Sequence, residues 1–174
     1  MIQMAIMGFG TIGSGVYDVV NTNRDVIRKN LGGEELDVKY VLDLREFPGK
    51  PVEKVLVHDV NTIMEDPEVK IVVETMGGVE PAFTFVSRAL KAGKSVATSN
   101  KELVAKKGVE LMELAKENHA SFLFGASVGG GIPIIRPLVR CLTADRIEEV
   151  AGILNGTTNY ILTKMDQEGT SFEA

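Results

Sequence analysis

A single cysteine, Cys141, excludes an internal disulfide, and with two histidines the chain offers no Cys/His spacing for a metal site. No stretch approaches the roughly 18–20 apolar residues that a bilayer span needs. Runs of about five or more like charges are also missing. The 24 acidic and 19 basic residues leave a net charge of −5, spread along the sequence. That excludes the concentrated basic surface by which proteins hold nucleic acid or anionic membranes. The N-terminus has no basic n-region. Met1-Ile2-Gln3-Met4-Ala5-Ile6 reads as a buried strand rather than a signal peptide, so a cytoplasmic location is expected.

What is present is alternation. Hydrophobic residues make up 44% and charged residues 25%, an ordinary globular balance that contains short apolar runs separated by helix-period segments. Apolar strands are expected at Ile2–Met7, Asp37–Leu42, Ile71–Val73, Ser95–Thr98 and Ser121–Phe124. Helices are expected from Thr11 to about Lys29, at Thr62–Glu65 and after Pro81, with Gly93 ending the third. Another carries a stripe at Val104, Gly108, Leu111, Met112 and Ala115, with Met112 expected in the core. Pro48, Gly49 and Pro51 mark residues 44–59 as a loop. Five strands joined by helical crossovers predict an α/β fold, a Rossmann-type doubly wound parallel sheet over residues 1–130. From Gly129-Gly130-Gly131 the pattern changes. A helix from Pro133 to about Leu142, a strand at Glu148–Leu154 and a helix at Thr157–Asp166 would begin a second, α+β domain over 131–174. Two elements cannot bury a core of their own, so this second domain is expected to be truncated or only partly ordered.

The chemistry starts at Gly8-Phe9-Gly10-Thr11-Ile12-Gly13, a GxGxxG turn that follows an apolar strand and opens a helix. Gly8 permits the tight turn, Gly10 lets a pyrophosphate approach the backbone, and Gly13 lets helix and strand pack closely. Asp43 ends the second strand, somewhat farther from Gly13 than the roughly 20 residues usual for a ribose ligand. It favours NAD through a 2′-hydroxyl bond, whereas Arg45 favours the 2′-phosphate of NADP; as a plain loop residue Asp43 would do neither. Lys101 follows the fourth strand, where it is suited to polarise a substrate oxygen. The alternative is a solvated Lys101 behind a helix cap at Ser99. Cys141 lies among apolar neighbours and reads as a small buried hydrophobe rather than a nucleophile. His58 and His119 read as surface residues.

Three segments together resemble the homoserine dehydrogenase family: GFGTIGSG at Gly8–Gly15, LKAGKSVATSNKELV at Leu90–Val104, and GILNGTTNYIL at Gly152–Leu162. The run Ala126–Pro133 is a fourth match, and the resemblance covers essentially the whole chain. It implies NAD- or NADP-dependent interconversion of L-homoserine and L-aspartate 4-semialdehyde, in the biosynthesis of threonine, methionine and isoleucine. It also implies that Thr75, Met76, Ser99, Asn100 and Lys101 line the nicotinamide end, and that Gly156 and Thr157 meet the substrate. Thr157 as a plain helix cap is the alternative. A sodium ion is implied at the backbone carbonyls of Val128, Gly130 and Ile132. Gly125 stands where the family has a glutamate, and losing a charged oxygen ligand weakens a hard-cation site.

The family's substrate carboxylates and proton-donating lysine would follow Ala174, so this chain is expected to bind cofactor and turn over poorly. The whole enzyme is expected to be a homodimer, and the start at Met1 speaks against a preceding kinase domain. Two rivals are a non-catalytic NAD(P)-sensing module and another two-domain dehydrogenase, such as aspartate-semialdehyde dehydrogenase. The latter needs an activated thiolate, for which Cys141 is badly placed.

Overall fold

Strand β1 (Ile2–Met7) is apolar at every inner position, and both of its faces are covered. In the computed structural model, which describes residues 1–153 and 155–173, Met4 and Ile6 pack with Phe9, Val20, Val41 and Val52. On the opposite face Ala5 and Met7 pack with Val72, Val86, Leu90 and Leu111. Side chains alternate along a strand, so two buried faces require covering elements on both sides. Helix α1 (Thr11–Thr22) and a 3-10 turn at Pro51–Val55 cover one side. Helices α3 (Val60–Met64), α4 (Ala82–Lys91) and α5 (Lys101–Glu117) cover the other.

The sheet has six parallel strands in the order β3-β2-β1-β4-β5-β6. The remaining ranges are β2 Leu36–Leu42, β3 Leu56–Val57, β4 Val69–Glu74, β5 Ser95–Thr98 and β6 Phe122–Leu123. Strand order reverses between β1 and β4, and the loops leaving their carboxyl ends diverge to open a crevice. This is the doubly wound α/β fold expected from the alternation.

Several local expectations are corrected. The helix predicted from Thr11 to Lys29 breaks at Asn23 into α1 and α2 (Arg24–Asn30). Gly13 and Val20 of α1 are buried, whereas α2 buries no residue, so no buried side chain holds the second segment to the first axis. The predicted loop at 44–59 contains the 3-10 turn and β3, which pairs Leu56 with Val41 and Val57 with Leu42. A short helix α6 (Gly125–Gly129) stands where none was expected. In α5 the buried positions are Leu103, Gly108, Leu111 and Ala115, while Met112 is 43% exposed. One step of about 100° past Leu111 turns Met112 off the inward stripe.

The chain divides into two compact units, Met1–Ile132 and Pro133–Ala174. The second contains α7 (Ile135–Cys141) and α8 (Gly156–Glu168). Residues 148–153 form no strand; a lone strand has no edge to pair with. Leu154, the end of that predicted strand, lies outside the described residues. Cys141 is exposed rather than buried, because no described element of its unit covers the end of α7. No helix among the described residues is long and apolar enough to cross a membrane.

Candidate cofactor cleft

A cleft of about 500 Å3 opens at the carboxyl ends of β1, β2 and β4. Gly8 and Gly10 form one wall, Asp43, Arg45 and His58 a second, and Thr75, Met76 and Gly77 a third. Gly8 has φ +95°, a left-handed conformation that glycine adopts without strain. A Cβ at Gly13 would meet the Gly8 carbonyl oxygen at 2.0 Å and Thr75 Oγ1 at 2.8 Å. Thr75 fastens the turn where it meets Gly13, the single hydroxyl hydrogen being shared between Gly8 O at 2.9 Å and Met7 O at 3.2 Å.

The start of α1 has no protein cap. Its N-cap is Gly10, without a side-chain hydrogen bond, and its first turn holds no acidic residue. Among the described helices α3, α5 and α8 are capped by Asp59, Asn100 and Asn155, whereas α2, α4, α6 and α7, like α1, have no side-chain cap; what sets α1 apart is the glycine turn that leads into it. Exposed Gly10, Thr11 and Ile12 therefore present N–H groups and a positive helix end to the crevice, the arrangement that binds phosphate. A Cβ on Gly10 would touch nothing within 4 Å, so the space over the turn is open. The residues fit a dinucleotide pyrophosphate.

Asp43 is not a plain loop residue. Oδ2 accepts from Phe9 N at 2.7 Å and Arg45 Nη2 at 2.9 Å; Oδ1 accepts from Arg45 N and Nε, both at 2.9 Å. The Arg45 guanidinium and these amides hold its carboxyl well below the usual range, against the opposing effect of burial. Through Phe9 N, Asp43 ties the glycine turn to the end of β2. His58 is exposed, as expected, and it lines the same wall and touches both Asp43 and Glu46. His119 is exposed, as expected.

Ser99, Asn100 and Lys101 follow β5, one strand further along the sheet, and are not among the residues lining the cleft. Asn100, not Ser99, caps α5: Oδ1 accepts from Leu103 N at 3.0 Å, and Nδ2 donates to Gly78 O at 2.5 Å. Lys101 is exposed at the start of α5 and makes no ion pair among the described residues. Glu74, which sequence reasoning missed, is fully buried beneath this region. Its Oε1 accepts from Met76 N at 2.8 Å and Asn100 Nδ2 at 3.5 Å; its Oε2 accepts from the Thr98 hydroxyl at 2.5 Å. Thr98 in turn accepts from Asn100 N at 2.9 Å. One carboxylate thus binds the loops after β4 and β5 together.

Val128 lies in α6, Gly130 follows at φ +57°, and Ile132 ends the first unit. Gly125 opens α6 without a carboxylate. In the second unit Gly156 and Thr157 are exposed in the first turn of α8. The cap there is Asn155, whose Oδ1 accepts from Thr158 N at 2.9 Å, so Thr157 is not the capping residue.

Residues 8–125 match the family model described as "Homoserine dehydrogenase, NAD binding domain", and residues 133–174 match "Homoserine dehydrogenase". The homoserine dehydrogenase of Bacillus subtilis is 42% identical over 175 residues, covering 99% of this chain and 40% of that protein. A homoserine dehydrogenase structure from Thiobacillus denitrificans matches at TM-score 0.90 and 39% identity, over 99% of this chain and 40% of that one. A hyperthermophilic archaeal homoserine dehydrogenase in complex with NADPH matches at TM-score 0.80 and 30% identity, over 99% of this chain and 58% of that one. The chain spans about two fifths of the curated relatives it matches. It belongs to the homoserine dehydrogenase family, and its first part is that family's NAD(P)-binding domain.

Proposed function

We propose that this chain is the cofactor-binding part of an NAD(P)-dependent homoserine dehydrogenase. The whole protein would interconvert L-homoserine and L-aspartate 4-semialdehyde, in threonine, methionine and isoleucine biosynthesis, as a cytoplasmic homodimer. The uncapped start of α1, opening on the cleft at the strand-order reversal, is the observation that carries this reading. Gly8, Gly10, Thr11, Ile12 and Gly13 hold the pyrophosphate. Thr75, Met76, Ser99, Asn100 and Lys101 serve the nicotinamide side. When bound, the nicotinamide supplies or takes the hydride. Lys101 stabilises charge on the substrate oxygen, and Gly156 with Thr157 grips the amino-acid end through backbone N–H and hydroxyl donors. The cofactor part ends near residue 130, and the substrate and dimerisation part begins after it.

NADP is the better fit of the two cofactors. Both oxygens of Asp43 already accept two hydrogen bonds each, which fills the capacity of a carboxylate and leaves none for a ribose hydroxyl. Arg45, 61% exposed beside it, is placed to meet a 2′-phosphate. Sodium at the carbonyls of Val128, Gly130 and Ile132 would bind weakly without a carboxylate at Gly125.

Titration of the chain with NADPH, followed by nicotinamide fluorescence, tests the assignment together with a homoserine oxidation assay. Saturable binding with little or no turnover is expected. Absence of binding removes the cofactor role, and brisk oxidation by this chain alone contradicts placing the rest of the substrate site outside it.

A further inference from the structure

His58 follows β3 directly and stands at the outer wall of the cleft, beside Asp43 and Arg45. Both ring nitrogens are engaged. Nδ1 lies 2.6 Å from the Asp43 carbonyl oxygen, and Nε2 lies 3.0 Å from Glu46 Oε1. Each partner is purely an acceptor. Only the imidazolium, with two N–H donors, satisfies both; a neutral ring keeps one N–H and turns a lone pair toward the other acceptor.

The surrounding charges are few. The Asp43 carboxylate is neutralised by Arg45, Glu46 faces Nε2 from the following loop, and the Asp59 carboxylate is turned away to cap α3. The Asp43 carbonyl, followed by the charge and hydrogen bond of Glu46, raises the histidine above its ordinary range. The ring therefore keeps its proton to higher pH than a solvated histidine and loses it as pH rises further.

We propose that His58 is a pH-dependent specificity residue of this cleft: as the imidazolium it reinforces Arg45 in favouring a 2′-phosphorylated dinucleotide, and deprotonation erodes that preference. Two effects act in the same direction. The positive charge beside Arg45 is lost, and Glu46 is released as an unpaired carboxylate that repels the phosphate and competes for the guanidinium. His58 is 48% and Glu46 73% exposed, so water and salt screen both effects and the change is a few-fold. The inference rests on the cofactor site proposed above.

The test is the ratio of NADPH to NADH affinity, measured by fluorescence titration at low ionic strength between about pH 7 and pH 9. In that range a phosphate monoester, with its second pKa near 6, is already dianionic. The native chain is expected to lose about fivefold of its NADPH preference as pH rises. His58→Gln should show a low, flat ratio, and His58→Lys, which stays charged throughout, a high, flat one. A flat ratio in the native chain overturns the inference and leaves the cofactor site standing, as does an equal slope in His58→Gln. Failure of both nucleotides to bind at any pH removes the site and the inference together.

Discussion

Replacing Gly13 by alanine should separate the packing role of the glycine turn from its binding role. The added Cβ would stand 2.0 Å from the Gly8 carbonyl oxygen, against about 3.3 Å for an ordinary carbon–oxygen contact. Helix α1 must therefore retreat by roughly 1 Å from a turn held by Thr75, whose hydroxyl the same Cβ would meet at 2.8 Å. Overpacking typically costs about 1–3 kcal/mol, and a backbone obstacle puts this case at about 3. At about 2–4 °C per kcal/mol for a chain of this size, the melting temperature should fall by roughly 6–12 °C. Gly10→Ala meets no atom within 4 Å and loses only N-cap preference, about 1 kcal/mol at most. Its methyl nevertheless occupies the path of the pyrophosphate. Losing two charge-assisted N–H contacts should weaken NADPH binding by about a hundredfold. Gly15→Ala, inside α1 with open space around it, should stabilise by about 0.5–1 kcal/mol and leave binding unchanged. Circular-dichroism melts and fluorescence titrations report the two quantities separately. A Gly13→Ala chain that melts with the native one refutes the packing account, and a Gly10→Ala chain that binds NADPH normally refutes the phosphate assignment.

Glu74→Ala removes the acceptor of the part-buried Met76 amide and of the buried Thr98 hydroxyl, while the Asn100 amide keeps Gly78 O, and should cost about 3 kcal/mol in urea unfolding. Glu74→Gln keeps an acceptor and should cost less than half as much. Arg45→Ala should lower NADPH affinity on the order of tenfold at low salt while NADH affinity changes little. Acid unfolding should show the paired carboxylates: Lys39 above all holds the Asp66 carboxyl down to about 2, and Asp43 is held well below its usual range. Depressed carboxyls stabilise the fold above their unfolded values near 4 and lose that contribution as pH falls through their folded values. Asp66→Asn should therefore be less stable at neutral pH and show a shallower decline between about pH 4 and pH 2.

The parts legible in the sequence were those whose signal is local. β1 and the glycine turn are adjacent in the chain, and the strand–turn–helix order identifies them without tertiary information. The core strands β4 and β5 declare themselves by short apolar runs. Leu56–Val57 was missed because two residues carry no periodicity; it is pairing with β2 that makes them a strand. The break at Asn23 has neither Gly nor Pro to mark it, and follows from where burial on the sheet stops. Glu74 carried no local signal, since its partners Thr98 and Asn100 come from the next βα unit. Asp43 and Arg45 were visible as neighbours, yet their mutual pairing depends on side-chain geometry that spacing does not specify. Cys141 and Met112 were misplaced for a common reason: apolar neighbours in sequence do not reveal which face finds a partner.

The central claim is that the open end of α1 holds the cofactor pyrophosphate. Amide chemical-shift mapping of the isotope-labelled chain with NADPH tests it most directly. The largest shifts are predicted at Gly10, Thr11, Ile12 and Gly13, with Gly77 across the cleft. Shifts gathered instead on the groove of α4 and α5, at Phe83, Ser87 and Glu110, or no shifts at saturating NADPH, would contradict it.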